Sequence, residues 1–437
     1  MTRVRLNDVF GMRVQVDPRF YVDRGGLDQR LAWLLKADRH VVIHGDSKQG
    51  KSWLRSRILD PTQTILVQCQ PGATPESILT EALGALGVRA EISRRESGAL
   101  EGTLEISAKA SAGMKILAKL GLSGKVGGKA TAETATETAP MGQTPGDLNW
   151  VAKVLAASEM RLVIEDFHYM AEEERKETAF LLKSLGDYGV FAVVVGVWSH
   201  DHLLSYYNGD LEGRIEDIHL RWSNEDLEGV LKLGAEQLGI AFSAGLREDL
   251  VSDAYGNVGL LQRMTEALCR EEGILEARDD SPFLTIGDAL HNSRATVANS
   301  MRGRYESFAD NFVRGLRRLP NGLEVYRLLL QLITEASDAD LEDGLPRDEL
   351  LGRINDVSAT KIRQSDLTGA LTRLDRLQTR IGIRPPVLAF SRDTNRLWIV
   401  DKSFLFFRKY GTPNWPWLEV DFAVTNDLAA TDPLEAD

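Results

Sequence analysis

The sequence predicts an α/β protein: a parallel sheet with helices on both faces and an inserted β-hairpin, then a helical region, then three helices closed by a hairpin. Three observations lead there. Short apolar runs alternate with amphipathic stretches between residues 41 and 195, as expected for a parallel sheet covered by helices. From Ser223 onward the apolar spacing turns helical. After residue 319, three helical stretches precede two short strands joined by a polar turn.

At 437 residues the chain is too long for one ordinary core, so two or three folded units are expected. No apolar run approaches the roughly 20 residues that cross a bilayer, and the longest, Phe191 to Trp198, suits a buried strand. No membrane partner is expected. Residues 1–17 lack the uninterrupted apolar segment of a secretory signal, which points to a cytoplasmic protein. Cys69 and Cys269 each fall in an apolar-periodic segment and read as buried reduced thiols. The formal net charge of −12 argues against nucleic-acid binding by the whole surface, so any such contact must be local.

The candidate strands are Val41–His44, Thr64–Gln68, Leu162–Ile164 and Phe191–Val195. Helices fill the gaps: Ser52–Leu59, one beginning at a Thr74 cap with Pro75 in its first turn, and Leu148–Ala156. Between them, residues 93–140 are rich in Gly, Ala, Thr, Ser and Lys. Leu104, Ile106 and Ala108 alternate with polar residues, and a second alternating run spans 116–122, so period two predicts a protruding β-hairpin or small sheet with a flexible flank. Ser223, with Asp226 three residues on, is placed to cap the first helix of a block reaching Arg318. The last unit offers Leu323–Leu332, a helix starting at Pro346, a third behind a Ser365 cap, and strands Val387–Phe390 and Leu397–Val400, the pattern of a winged helix. Residues 421–437 are acidic and read as disordered. The expected domains are therefore 1–222 (with the insertion), 223–318, 319–420 and the tail.

Gly45-Asp46-Ser47-Lys48-Gln49-Gly50-Lys51-Ser52 matches G-x-x-x-x-G-K-[ST] at every position, directly after the first strand and directly before a helix opening at Trp53. The glycines let the backbone curl so that successive N–H groups face a β-phosphate. The helix presents its positive end there, Lys51 reaches the β and γ oxygens, and Ser52 ligates magnesium. ATP and Mg2+ are the cofactors this implies. A second carboxylate site is expected at another strand tip, and Leu162-Val163-Ile164-Glu165-Asp166 supplies it. The first acid, Glu165, is assigned to magnesium and the second, Asp166, to the attacking water.

With both motifs in place the chain resembles the AAA+ and STAND branch of P-loop ATPases, notably the Orc/Cdc6-like and TniB/ExeA-like proteins, over about residues 8–270. Tyr21 to Leu27, containing Arg24, is similar to the segment that packs on adenine in that branch. Phe167-His168 resembles the run after the acid pair of TniB-like members, Gly213 to Leu220 resembles the strand carrying an arginine finger (Arg214), and Gly256-Asn257-Val258-Gly259 resembles the start of the lid helix. Three departures stand out. The acid pair is Glu then Asp where most relatives have the reverse. The usual sensor-2 basic position falls on Gly259 or Leu260, leaving Arg263 one turn later, and the nearest sensor-1 candidate is Ser199. The two sensor departures imply slow turnover, as in switch-type STAND proteins, and an Arg214 acting in trans implies a homo-oligomer.

Arg363, Arg373 and Arg376 beside the third C-terminal helix, with Arg392 and Arg396 at the wing, suit a helix in a DNA major groove; docking of a partner protein is the competing reading. The lysines of the insertion (Lys109, Lys115, Lys119, Lys125, Lys129) would line a pore, touch nucleic acid, grip a partner or sit in solvent. The function expected is an ATP-binding, ATP-hydrolysing switch working with DNA or a partner through its winged helix. The alternative is a STAND signalling ATPase of antiphage defence whose winged helix docks an effector or sensor protein. His200 and His202 lie beside a turn and support nothing further at this level.

Overall fold

The computed structural model describes residues 3–13, 17–94, 100–106, 148–198, 201–314, 323–358, 360–383, 386–392 and 394–418. The second alternating run at 116–122, the five insertion lysines, Ser199 and the tail 421–437 lie outside the described residues. The chain forms two compact units: Asp23–Gly45 with Gly50–Leu220, and Met1–Val22 with Asp46–Gln49 and Arg221–Asp437.

The first unit is built on five parallel strands, β1 (His40–His44), β2 (Thr64–Gln68), β5 (Arg161–Glu165), β6 (Ala192–Val195) and β7 (Ile215–His219), in the order β2-β5-β6-β1-β7. A two-stranded antiparallel hairpin, β3 (Val88–Arg94) and β4 (Leu100–Ile106), stands apart from that sheet. Residue alternation divides the sheet between two cores. Val41, Ile43, Val163, Val193, Val195 and Ile218 pack with Leu31, Leu34 and Leu54 of helices Leu27–Leu34 and Lys51–Ile58. Val42, Leu162, Ile164, Ala192 and Val194 pack with helices Pro75–Ala85, Leu148–Ser158 and Glu172–Asp187 on the other face. Helices on both faces are thus a direct result of period-two apolar runs.

The Thr74 cap is present as a full capping box, its hydroxyl accepting from Ser77 N at 3.2 Å while Ser77 Oγ accepts from Thr74 N at 2.9 Å. The hairpin differs from the expectation in its register. It begins at Val88, directly after the left-handed Gly87, and pairs 88–94 with 100–106. The alternation of Val88-Arg89-Ala90-Glu91-Ile92 is short and follows a helix, so it carries no separate signal.

In the second unit, helices Asn224–Leu238, Ala244–Asp253, Val258–Glu271, Asp288–Asn299 and Arg302–Arg314 share one core with the C-terminal elements, running from Leu6 to Trp415. Residues 223–318 and 319–420 therefore have a common interior. The N-terminal residues belong here too: helix Leu6–Val9 brings Phe10 against Gly234, where an added Cβ would lie 2.2 Å from the ring. The Ser223–Asp226 capping box forms as expected, with Ser223 Oγ accepting from Asp226 N at 3.0 Å.

The C-terminal part comprises helices Leu323–Glu335, Arg347–Val357, Gln364–Thr372 and Leu374–Arg380, with strands Leu388–Ser391 and Arg396–Ile399. Three expectations are corrected. Ser365 is not the cap, because Arg363 holds the extended cap conformation and Ser365 lies inside the first turn. The third helix breaks at Arg373 into two segments. The hairpin is a three-stranded sheet, since Leu345–Pro346 pairs with Leu397 and Arg396. Buried Gln378 ties helix to sheet: its amide donates to Leu388 O at 2.7 Å while its oxygen accepts from Val387 N and Leu388 N at 2.8 and 3.0 Å. Phe404, Phe406 and Phe407, on the unanticipated helix Ser403–Tyr410, are fully buried core residues. No helix among the described residues is long and apolar enough to cross a membrane.

Candidate nucleotide site

Every strand of the five-stranded sheet points the same way, so its loops gather at the C-terminal edge, where α/β sheets bind ligands. β1 delivers Gly45 there. An added Cβ at Gly45 (φ 142°) would fall 2.6 Å from Leu220 O, so only glycine allows the chain to turn beside that carbonyl. Gly50 (φ 79°) precedes helix Lys51–Ile58 in a left-handed cap conformation and has no side chain to satisfy the first-turn N–H groups. A helix start of this kind, capped by glycine, is where main-chain N–H groups bind anions. Lys51 is nearly enclosed, at 8% exposure, and its Nζ donates to Gly45 O at 3.2 Å.

β5 lies two strands from β1 with β6 between, about 10 Å across the sheet. Its last residue, Glu165, reaches back to the helix that opens at Lys51. Ser52 Oγ donates to Glu165 Oε2 at 3.4 Å, the facing of hydroxyl and carboxylate that a magnesium ion would require, and this pair is where the predicted ion fits. Arg55, one turn on, pairs with Glu165 Oε1 at 2.9 Å, both side chains being largely buried. That partner was not visible in the sequence, where Arg55 is one of several arginines on an amphipathic helix. Asp166 adopts a left-handed conformation (φ 55°), and Gln68 of β2 donates to its Oδ2. Burial raises the Asp166 carboxyl above its ordinary value, while the Gln68 bond and the Lys51 charge pull it back. His168 is pushed down to about 3, chiefly by burial and then by Lys51, and is therefore a neutral imidazole.

Within the second unit the middle of the loop has its own anchors. Gln49 Nε2 donates to Gly256 O at 2.9 Å, Trp222 Nε1 donates to Gln49 O at 3.1 Å, and Asn257 Nδ2 donates to Ser47 O at 3.0 Å. Asn257 also caps helix Val258–Glu271. Gly259 is closely packed: an added Cβ would sit 2.8 Å from Lys48 Cβ and 3.3 Å from Asn257 Oδ1. Any side chain there forces Lys48 to shift. Gly259→Ala is expected to destabilise the protein by about 1–3 kcal/mol, the usual cost of overpacking, seen as a lowered melting temperature in calorimetry. An unchanged melting temperature would mean that Lys48 does not pack on this helix.

The remaining expected residues fall elsewhere. Arg24 is 3% exposed, and its Nη2 lies 3.8 Å from where a Gly50 Cβ would be, so it belongs to the loop's surroundings. Arg263 donates to Ser300 Oγ at 2.6 Å. Trp53 is half-buried on the loop's helix. Arg214 precedes β7 at the opposite end of the sheet, about 16 Å from the end of β1, and pairs with Asp187 Oδ1 at 2.5 Å. It does not reach the loop of its own chain.

Similarity to solved structures follows this architecture. The Walker-type ATPase of Pyrococcus abyssi superposes with a TM-score of 0.54 at 16% identity, covering 92% of this chain and 99% of that one. The chain has a Walker-type P-loop ATPase fold. Orc1 of Aeropyrum pernix, solved in complex with DNA, gives 0.39 at 12% identity over 91% and 94% of the chains, and the Thermotoga maritima RuvB branch migration motor 0.36 at 11% over 90% and 96%. No protein-family model matches the sequence, and no curated protein matches it.

Proposed function

We propose that this protein is an ATP-binding switch that hydrolyses ATP slowly with Mg2+. The observation carrying this is the meeting of Ser52 Oγ and Glu165 Oε2 at the glycine-capped start of helix Lys51–Ile58. When bound, Mg2+·ATP supplies the electrophilic γ-phosphorus and neutralises its charge. The residues do the rest. Lys51 would exchange Gly45 O for phosphate oxygens, Ser52 and Glu165 would hold the metal, and Asp166, steadied by Gln68, would accept the proton of the attacking water. Arg55 holds Oε1 of Glu165 at 2.9 Å and so fixes the orientation of the carboxylate that would face the metal. The test is calorimetry of the intact chain with ATP and Mg2+, which should show binding that fails on loss of Lys51.

Arg214 supports a role in trans: facing away from its own loop, it would act on the nucleotide of a neighbouring copy in a homo-oligomer.

The C-terminal helices and three-stranded sheet support a winged helix. Arg363, Arg373, Arg376 and Arg392 are exposed along one helix pair and the turn, and suit phosphate contacts. Arg396 does not join them, because it donates to Asp343 O and Gly344 O at 3.1 and 2.7 Å and serves to hold the backbone. Duplex DNA binding is expected to weaken steeply with salt and to drop when Arg363→Ala is combined with Arg376→Ala, the log–log salt slope falling by about 0.9 for each phosphate no longer neutralised. Binding that is absent, or indifferent to these changes, would favour the signalling alternative in which the winged helix docks protein, as in antiphage defence.

A further inference from the structure

Beside the nucleotide loop, the same edge of the sheet holds a second constellation. His44 ends β1 and His219 ends β7, and the two are register partners. Asp201 follows β6. His44 Nε2 lies 3.2 Å from Asp201 Oδ1, and His219 Nδ1 lies 2.9 Å from the same oxygen; the three ligand atoms fall within 4.8 Å of one another. Asp217 Oδ1 stands 3.6 Å from His44 Nε2, and His202 Nδ1 3.2 Å from Asp217 Oδ2.

The His44 ring is oriented before any ligand arrives. Its side chain is fully enclosed, it stacks on Trp198 with the planes 2° apart, and Nδ1 donates to Trp198 O at 3.2 Å. That bond assigns the proton to Nδ1 and the lone pair to Nε2. Among the described residues Nε2 has no hydrogen-bond partner, although it is buried and within 3.2 and 3.6 Å of two carboxylates. An acceptor facing acceptors is an unfavourable arrangement unless a cation lies among them. A histidine whose second nitrogen is fixed by a backbone carbonyl is also how metal ligands are usually held.

We propose that His44, His219 and Asp201 bind a zinc-class divalent cation, with Asp217 beside the fourth position. A tetrahedral ion with bonds near 2.0–2.1 Å separates its ligand atoms by about 3.3 Å, close to the 3.2 and 2.9 Å from Asp201 Oδ1 to the two ring nitrogens. The two-nitrogen, one-carboxylate set suits zinc and its neighbours, whereas magnesium and calcium require shells of oxygen. Asp201 is half-exposed and gives the ion a way in. The ion would tie β7 and the segment after β6 to β1 at the residue preceding Gly45, independently of the nucleotide reading.

The test is isothermal titration of tag-free, chelator-stripped full-length protein with Zn2+ in the absence of nucleotide. One equivalent should bind, Co2+ should give the visible bands of a tetrahedral site, and Asp201→Asn and His219→Ala should each weaken binding at least tenfold. Asp201→Asn, at a half-exposed position, keeps the fold, as circular dichroism will show. Ser52→Ala should bind zinc normally. The proposal is overturned if the wild type takes up no zinc, if it binds no more tightly than the Asp201→Asn and His219→Ala variants, or if Ser52→Ala removes the binding and so places the ion at the phosphate loop.

Discussion

Lys51→Ala is expected to lower ATP affinity by roughly 100-fold or more, read by calorimetry or equilibrium dialysis. The argument begins with enclosure. The side chain is 8% exposed and its ammonium already donates to Gly45 O, so it is held over the loop without a water shell to replace it. A hydrogen bond to a charged group contributes about 1.5–3 kcal/mol, and two such bonds to phosphate oxygens account for the two decades at 1.4 kcal/mol each. Circular dichroism of the variant checks that the fold is kept while affinity falls. ATP affinity within threefold of wild type would defeat the nucleotide assignment, and with it the roles of Ser52, Glu165 and Asp166.

Asp166→Asn is expected to leave ATP binding intact while lowering kcat by about 10²–10⁴-fold, the usual contribution of a positioned general base. Asn is isosteric and keeps a polar contact with Gln68 after a flip of its amide, so the left-handed turn at this residue survives. What disappears is the capacity to take a proton. Phosphate release under saturating ATP measures the effect, and calorimetry shows that binding persists. Retained turnover would move the proton acceptor elsewhere, with Glu165 the nearest alternative; its Oε1 is engaged by Arg55.

Much of this was legible from local pattern. The phosphate loop is eight consecutive residues between a strand and a helix, and its backbone chemistry is carried by Gly45 and Gly50. The Thr74 and Ser223 caps were readable because donor and acceptor sit three residues apart. Ser365 misled for the same reason: a serine before an apolar face resembles a cap, but the chain enters that helix two residues earlier, at Arg363. The strand at Leu345–Pro346 was hidden by its two-residue length and its proline, whose neighbours read as a helix start.

The sequence by itself determined which chemistry the loop offers, that the sheet is buried on both faces, and where the acid pair stands, because each depends on residues a few positions apart along one strand, turn or helix. Only the tertiary structure decided that Arg55 claims one oxygen of Glu165, that Arg214 lies at the far end of the sheet from its own loop, and that His44, Asp201 and His219 converge. Those outcomes follow from strand order and register, which place residues up to 175 positions apart at the same strand tips.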